Sequence, residues 1–170
     1  MKPELLPGTA KEQLNLVLGF FTRADSKASV VLAVDTGMAG YLASHLSLQG
    51  SLSTWEVLAP LVTFSLIGHS LWQLYRGAFP NLEGGSNSLV YFREIARRTE
   101  AKFIEEFAAQ SESEYAREIL GQAWRNSQIL ADKFNRLRVA FIFMALAVVP
   151  WVISLAQFAI QQAHAAAQIR

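Results

Sequence analysis

The feature that most constrains this chain is residues 139–160, a stretch without a single charged side chain. A helix of about 20 apolar residues spans the roughly 30 Å hydrocarbon core of a bilayer. Residues 28–48 and 55–75 are of similar length, and each holds one acid and no Lys or Arg. Buried core helices of a soluble protein are the alternative, but three would overfill a chain of 170 residues. The pattern therefore predicts an all-α integral membrane protein with three transmembrane helices.

The composition supports this class and excludes several others. Hydrophobic residues make up 52% and charged residues 17% of the chain, with a mean hydropathy of +0.22, whereas soluble domains carry about 25% charged residues. The net charge of +1 gives no electrostatic basis for binding a nucleic-acid polymer. Because the chain has no Cys, disulfides, Cys nucleophiles and thiolate metal sites are excluded. The first apolar segment is too long for a signal peptide.

The distribution of basic residues predicts the orientation in the membrane. Four bases precede the first apolar segment, and ten lie in residues 76–138. Because basic loops stay in the cytoplasm, the N-terminus and residues 76–138 are expected inside. The expected organisation is a cytoplasmic helical segment at 1–27, a transmembrane hairpin at 28–75, a cytoplasmic helical hairpin at 76–138, a third span at 139–160 and an external tail at 161–170.

Two cytoplasmic helices are expected within residues 76–138. Apolar residues from Leu89 to Phe107 recur at helical spacing and predict the first. Ser111 and Glu114 form a capping-box pattern, which predicts the start of the second. No Pro or Gly interrupts residues 123–149, so the second helix should continue into the third span.

A short apolar face precedes the first span. Its members are Leu14, Leu16, Val17, Phe20 and Phe21. This face could lie along the membrane surface or pack on the cytoplasmic helices. Packing is favoured because the polar face of the same segment has few bases.

Asp35 is the unusual residue of the first apolar segment, because a charged side chain at the bilayer centre costs ~2.5–3.5 kcal/mol. His69 lies at the same predicted depth in the second segment of the antiparallel hairpin. We expect Asp35 to contact His69, and two interpretations stay open. The pair is either a protonation-sensitive gate, or a static contact or polar subunit interface.

Asp25 and Lys27 lie at the expected cytoplasmic boundary of the first span. One interpretation is that they anchor the helix at the membrane interface. The other is that they dock the cytoplasmic helices by ion pairs, for instance to Arg136 or Asp132. The sequence leaves both open.

The chain shows no signature of an enzyme. It contains neither a Gly-rich phosphate loop nor a nucleophile elbow. Its three histidines, His45, His69 and His164, are far apart and lack metal-ligand spacing. We expect no catalytic activity, metal or cofactor.

Three stretches carry a family resemblance: "ADSKAS-VVLAV-TG", "SLVYFREIA" and "QAWRNSQILADKFNRLRVAF". In this order they resemble the Pycsar transmembrane effectors, bacterial anti-phage proteins encoded beside a pyrimidine nucleotide cyclase. The resemblance covers about residues 14–155. Asp35 departs from it, since a neutral polar residue is expected at that position.

The resemblance implies a mechanism. Infection triggers the cyclase to make cyclic CMP or cyclic UMP, and this messenger activates the membrane protein. The inner membrane loses integrity and the cell dies or stops growing before phage are released. The implied partners are the lipid bilayer, the messenger, the cyclase and further copies of the chain, because three spans alone enclose no pore.

The messenger site is expected among cytoplasmic bases, because its phosphate carries a charge. Arg93, Arg97 and Arg98, together with Tyr91 and the adjacent Phe92, form one candidate cluster. A second cluster, Lys133, Arg136 and Arg138, fits anchoring at the inner leaflet better.

Two other functions remain open. The chain could be a membrane scaffold or sensor subunit that recruits a partner through its cytoplasmic helices. It could also be a small constitutive channel with Asp35 in the ion path.

Overall fold

A computed structural model describes residues 6–45, 54–79 and 87–168. These residues form helices and no strand: α1 (Pro7–His45), α2 (Thr54–Ala78), α3 (Phe92–Ile95), α4 (Glu100–Ala109) and α5 (Glu112–Gln168). The all-α prediction is confirmed. The predicted connectors near residues 47–54 and 79–88 lie largely outside the described residues.

α1 is a single helix of 39 residues that joins the predicted N-terminal segment to the first apolar segment. Its buried side chains recur every seven residues, at Ala10, Val17, Ala24, Val31 and Met38. A heptad repeat of small and apolar residues keeps one stripe of a helix against a neighbouring helix. The stripe explains why the predicted N-terminal apolar face is only partly buried, since Leu16 and Phe20 lie off it and are exposed.

α5 is also one unbroken helix, as the sequence predicts. It has 57 residues, contains Pro150, and continues past the predicted end of the span at residue 160. The described part of the expected external tail is therefore helical. At ~1.5 Å per residue α5 is about 85 Å long, so only part of it fits the roughly 30 Å hydrocarbon layer.

The predicted capping box at the start of α5 is confirmed. The Ser111 backbone N–H donates to Glu114 Oε2 at 2.9 Å, and the Glu114 N–H is 3.4 Å from Ser111 Oγ. The Ser111 hydroxyl also donates to the carboxylate at 2.6 Å. These bonds satisfy N–H groups that have no acceptor within the helix.

The first predicted cytoplasmic helix is wrong in its extent. Instead of one helix from residue 89 to 107, the structure has the single turn α3 and then α4. Thr99 separates them, because its extended backbone (φ −75°, ψ 153°) caps α4 and its side chain accepts from Lys102 N–H. Apolar periodicity alone does not register this interruption.

The helices divide into two compact units. Unit 1 comprises Met1–Asp25 and Pro80–Lys133, and unit 2 comprises Ser26–Phe79 and Phe134–Arg170. In unit 1, Ala10 of α1 packs with Ala116 and Ile119 of α5. Half-buried Leu14, Val90, Tyr115 and Leu120 surround them. The N-terminal half of α1 therefore packs on the helices of unit 1, which was the favoured interpretation.

Unit 2 is built from α1, α2 and α5 around two apolar clusters. Val31 packs with Leu137 and Ala140 in the first. Met38 packs with Ile67 and Ala147 in the second. The small alanines let the helix backbones approach closely, as in membrane bundles.

Unit 2 encloses several polar side chains and exposes many large apolar ones. Its fully buried side chains include four polar ones, Asp35, Thr63, Ser70 and Ser154. Its exposed side chains are large and apolar on all three helices, among them Val30, Leu61, Trp72, Phe141, Leu146, Val149 and Val152. Soluble monomers rarely expose such extensive apolar surface, whereas lipid accommodates it.

Within the residues that the structure describes, two helices, and not the predicted three, are long and apolar enough to cross a membrane. They are Val57–Ala78 of α2 and Glu112–His164 of α5. In the most apolar stretch of each helix, only 22% and 17% respectively is buried, so neither resembles the core helix of a soluble protein. α1 does not meet this criterion, because Asp35, Thr36, two glycines and His45 lower the hydropathy of its apolar half.

Replacing Glu114 with Gln should make the start of α5 less sensitive to pH. Hydrogen bonds from the hydroxyl and backbone N–H of Ser111 hold the pKa of Glu114 below its ordinary value of 4.5. A lowered folded-state pKa means that this stabilisation is present above the unfolded-state pKa and is lost as pH falls through the folded-state value. Amide hydrogen exchange of residues 111–115, corrected for its intrinsic pH dependence, measures the loss.

The matched control is Glu112→Gln, another first-turn acid of α5. It should keep the wild-type decline in protection at acid pH, whereas Glu114→Gln should flatten it. An unchanged decline in Glu114→Gln would show that the capping box does not set this pH dependence.

Candidate functional site

Asp35 of unit 2 is fully enclosed, at 0% exposed. It lies four residues after Val31 and three before Met38, on the buried stripe of α1. The Ser70 hydroxyl is 2.6 Å from Asp35 Oδ2 and 3.0 Å from the Ala140 carbonyl oxygen. One hydroxyl therefore links α1, α2 and α5, and its single hydrogen can be donated to either acceptor.

The second carboxyl oxygen of Asp35, Oδ1, is buried and has no hydrogen-bond partner among the described residues. Thr63 and Ser154 are equally buried, but each hydroxyl donates to a carbonyl of its own helix. A buried polar atom left unsatisfied costs ~1–3 kcal/mol. Asp35 can therefore take up a proton or accept one further hydrogen bond, and this makes it the candidate switch residue of unit 2.

The expected contact between Asp35 and His69 is wrong, because the residue that meets Asp35 is the adjacent Ser70. His69 is exposed, its ring lies 4.0 Å from that of Phe143, and its Nε2 is 3.1 Å from Gln73 Nε2. The depth estimate was correct to one residue. It missed the helix face, since buried positions of α2 recur at Thr63, Ile67 and Ser70.

The boundary residues Asp25 and Lys27 both contact α5. Within unit 1, Asp25 Oδ1 forms an ion pair of 2.5 Å with Lys133 Nζ. Lys133 also lies over the Phe21 ring, 5.8 Å from its centroid. Within unit 2, Lys27 Nζ lies 6.0 Å from the centroid of Phe134. The ion pair favours the docking interpretation for Asp25. Its partner is Lys133, which lies next to the expected Asp132.

Among the predicted messenger-binding arginines, Arg98 is held inside unit 1. Its guanidinium pairs with Glu106 at 2.7 Å and donates to the carbonyls of Asn87, Ser88 and Glu94. Through these four contacts Arg98 connects the α3 segment to α4. Its geometry is that of a positioning residue.

The other predicted members of the cluster divide by exposure. Arg93 and Arg97 are exposed, and Arg97 pairs with Glu94 at 2.5 Å. Tyr91 is only 8% exposed, whereas its neighbour Phe92 is 62% exposed and meets it edge to face. Phe92 is thus the exposed aromatic ring of this segment, and Arg93 and Arg97 are its exposed bases.

Glu118 of α5 holds the base of this surface, and the sequence analysis did not identify it. One carboxylate oxygen accepts from the Leu89 N–H at 2.9 Å and from the Ser88 hydroxyl at 3.3 Å. The other accepts from the Gln110 amide at 2.9 Å. Glu118 therefore joins α5 to the segment that carries Phe92 and the exposed arginines.

A polar set on α5 was also missed. Arg125 donates to Gln122 Oε1 at 3.3 Å, and Gln122 lies 3.4 Å from Asn126 Oδ1. Arg125 Nε is buried without a partner in the part of the chain that the structure describes. The helical spacing within "QAWRN" was the available signal. No group of three His, Asp or Glu suited to a metal occurs among the described residues.

Replacing Ser70 with Ala should destabilise unit 2 by about 1–3 kcal/mol, because it leaves both oxygens of a buried carboxyl group unpaired. Thermal unfolding of the purified chain in detergent measures the change. Ser65→Ala is the matched control, since Ser65 lies on the same helix, is exposed, and donates to the Leu61 carbonyl.

The double variant Asp35→Ala, Ser70→Ala isolates the interaction between the two side chains. It should unfold at a higher temperature than the sum of the single losses predicts, because no carboxyl group remains to be satisfied. Equal stability of Ser70→Ala and Ser65→Ala would show that the hydrogen bond contributes nothing.

Comparison with known proteins identifies the family. The family model PycTM, the Pycsar effector protein domain, matches residues 9–160. This range includes the Asp35–Ser70 contact of unit 2 and the arginine surface of unit 1, by which we mean the exposed Arg93 and Arg97. No curated protein and no solved structure matched the chain. The chain therefore belongs to the Pycsar effector protein domain family of anti-phage effectors.

Proposed function

We propose that this protein is the membrane effector of a Pycsar system, activated by cyclic CMP or cyclic UMP from a partner pyrimidine nucleotide cyclase. Once activated, it impairs the bacterial inner membrane, so that infection is aborted before phage are released. It acts as a switch, without catalysis or a cofactor of its own. The observation that carries the proposal is the family match over residues 9–160.

The apolar exterior of unit 2 supports a place in the lipid bilayer. α2 and α5 supply the candidate spanning helices, and exposed apolar side chains cover them. The apolar half of α1 packs against both and encloses Asp35 with Ser70. A polar contact placed inside such a bundle avoids exposing a carboxyl group to hydrocarbon.

The basic residues support a cytoplasmic place for the N-terminus and for residues 76–138. A messenger made in the cytoplasm would then reach unit 1 directly. α5 supplies residues to both units as one helix. Binding that displaces α5 in unit 1 therefore acts on the helix that also supplies an apolar span.

The exposed surface around α3 is the proposed messenger site. Arg93 and Arg97 would bind the cyclic phosphate, since charge-assisted bonds to guanidinium are strong. Phe92 would stack on the pyrimidine. Arg98 and Tyr91, which are enclosed, would hold this surface in place.

Several copies are required to open the membrane, because two spanning helices enclose no pore. The exposed apolar side chains of unit 2 provide surface for contacts between copies as well as for lipid. The cyclase partner is needed only to supply the messenger.

Dye release from liposomes that contain the purified chain tests the function. Cyclic CMP or cyclic UMP should trigger release, and cyclic AMP should not. Arg97→Gln should raise the nucleotide concentration for half-maximal release by about tenfold, since a hydrogen bond to a charged group contributes ~1.5–3 kcal/mol.

Lys102→Gln is the matched control for Arg97→Gln. The two side chains are similarly exposed, at 65% and 71%, and each pairs with a neighbouring glutamate of unit 1. Release without any nucleotide would instead favour a constitutive channel. No release with any nucleotide would favour a membrane scaffold or sensor subunit.

A further inference from the structure

We propose that a groove between α1 and α5 in unit 2 binds one anionic phospholipid. Its acyl chain would lie on apolar side chains of the two helices, and its phosphate would be bound by Lys27 and Arg138. This inference rests on the proposed membrane location, and it requires neither the messenger nor its binding site.

The groove has a volume of about 470 Å³ and an apolar lining. This volume falls in the range of roughly 300–1,000 Å³ typical of ligand sites. Val31 and Leu137 are buried and form its floor. Val30 and Phe141 are largely exposed and form its sides. A hydrocarbon chain in this groove would cover apolar surface that is otherwise open.

The only charged residues that line the groove among the described residues are two bases, Lys27 and Arg138. Both are exposed. The Lys27 ammonium group lies over the Phe134 ring at 6.0 Å, and neither base forms an ion pair within the described part of the chain. Two cations without an acid between them attract an anion and disfavour a second copy of the same surface.

The order of charge and apolar surface along the groove matches a lipid. Lys27 precedes the apolar half of α1, and Arg138 precedes the uncharged residues 139–160 of α5. Val30, Val31 and Phe141 lie three or four residues further along their helices, about one turn or ~5 Å deeper in the apolar part. A phosphate at the bases would thus leave its acyl chain beside these side chains.

The net charge of the headgroup decides between lipid classes. Phosphatidylglycerol brings a phosphate without a compensating cation, and basic residues at the membrane surface attract such lipids. Phosphatidylcholine carries its own quaternary ammonium group, which the two bases repel. Lys and Arg also reach the headgroup region while their carbon stems stay on apolar surface.

Native mass spectrometry of the full chain in detergent tests the site, with phosphatidylglycerol and phosphatidylcholine added separately and without nucleotide. The wild-type chain should retain one phosphatidylglycerol in clear preference to phosphatidylcholine. In the double variant Lys27→Gln, Arg138→Gln, the ratio of retained phosphatidylglycerol to retained phosphatidylcholine should fall by about tenfold.

Arg76→Gln is the matched control, because Arg76 is an exposed base near the end of α2 that does not line the groove. It should retain phosphatidylglycerol as the wild type does. Val30→Trp keeps both bases but fills the apolar part of the groove, so it should also reduce retention.

Three results would overturn the proposal. Equal retention of both lipids would remove the role of charge. Displacement of phosphatidylglycerol by inorganic phosphate, with Val30→Trp unaffected, would leave a phosphate site without a place for the chain. A lipid-free dimer that forms through this face would make a second copy the occupant. Because nucleotide is absent, failure of messenger-induced leakage leaves these measurements unchanged.

Discussion

The rest of unit 2 depends on one constraint, which is that its buried carboxyl group, Asp35, is enclosed by three helices whose outer faces carry many large apolar side chains. Asp35 can remain on the buried stripe of α1 because Ser70 reaches it at 2.6 Å from α2. The same hydroxyl lies 3.0 Å from the Ala140 carbonyl of α5. In water this arrangement would gain nothing from its outer surface. In lipid it becomes a bundle whose specific contacts are all internal.

The two long helices α1 and α5 also supply packed residues to unit 1. Alanines at Ala10 and Ala116 allow close packing there, just as Ala140 and Ala147 do in unit 2. What changes is the outer surface, which in unit 1 carries ion pairs such as Arg97 with Glu94. Small residues at the helix contacts are therefore common to both units.

The sequence predicted the helical class, the unbroken α5 and the Ser111–Glu114 capping box, because each depends on local spacing. The sequence was less successful at predicting contacts that depend on which face of a helix is buried. The predicted depth in the membrane indicated His69 as the partner of Asp35. The buried face of α2, which includes Ile67, instead places Ser70 against Asp35. The seven-residue recurrence of small and apolar residues in α1 was readable and would have put Asp35 inside. The division between α3 and α4 depends on the Thr99 cap and on Arg98 bonds to distant carbonyls, which apolar spacing does not encode.

The arginine surface shows why residue type alone does not assign a ligand. Arg97 and Arg98 are adjacent residues of identical chemistry, but the guanidinium group of Arg98 donates its hydrogen bonds to Glu106 and to three backbone carbonyls. Those bonds, with Glu118 beneath the Leu89 N–H, hold the backbone that presents Phe92 and Arg97. At the proposed messenger site, a displacement of this backbone would reach Glu118, which belongs to α5. The same helix supplies apolar residues of unit 2, so the proposed messenger surface is hydrogen-bonded through Glu118 to the helix that carries them.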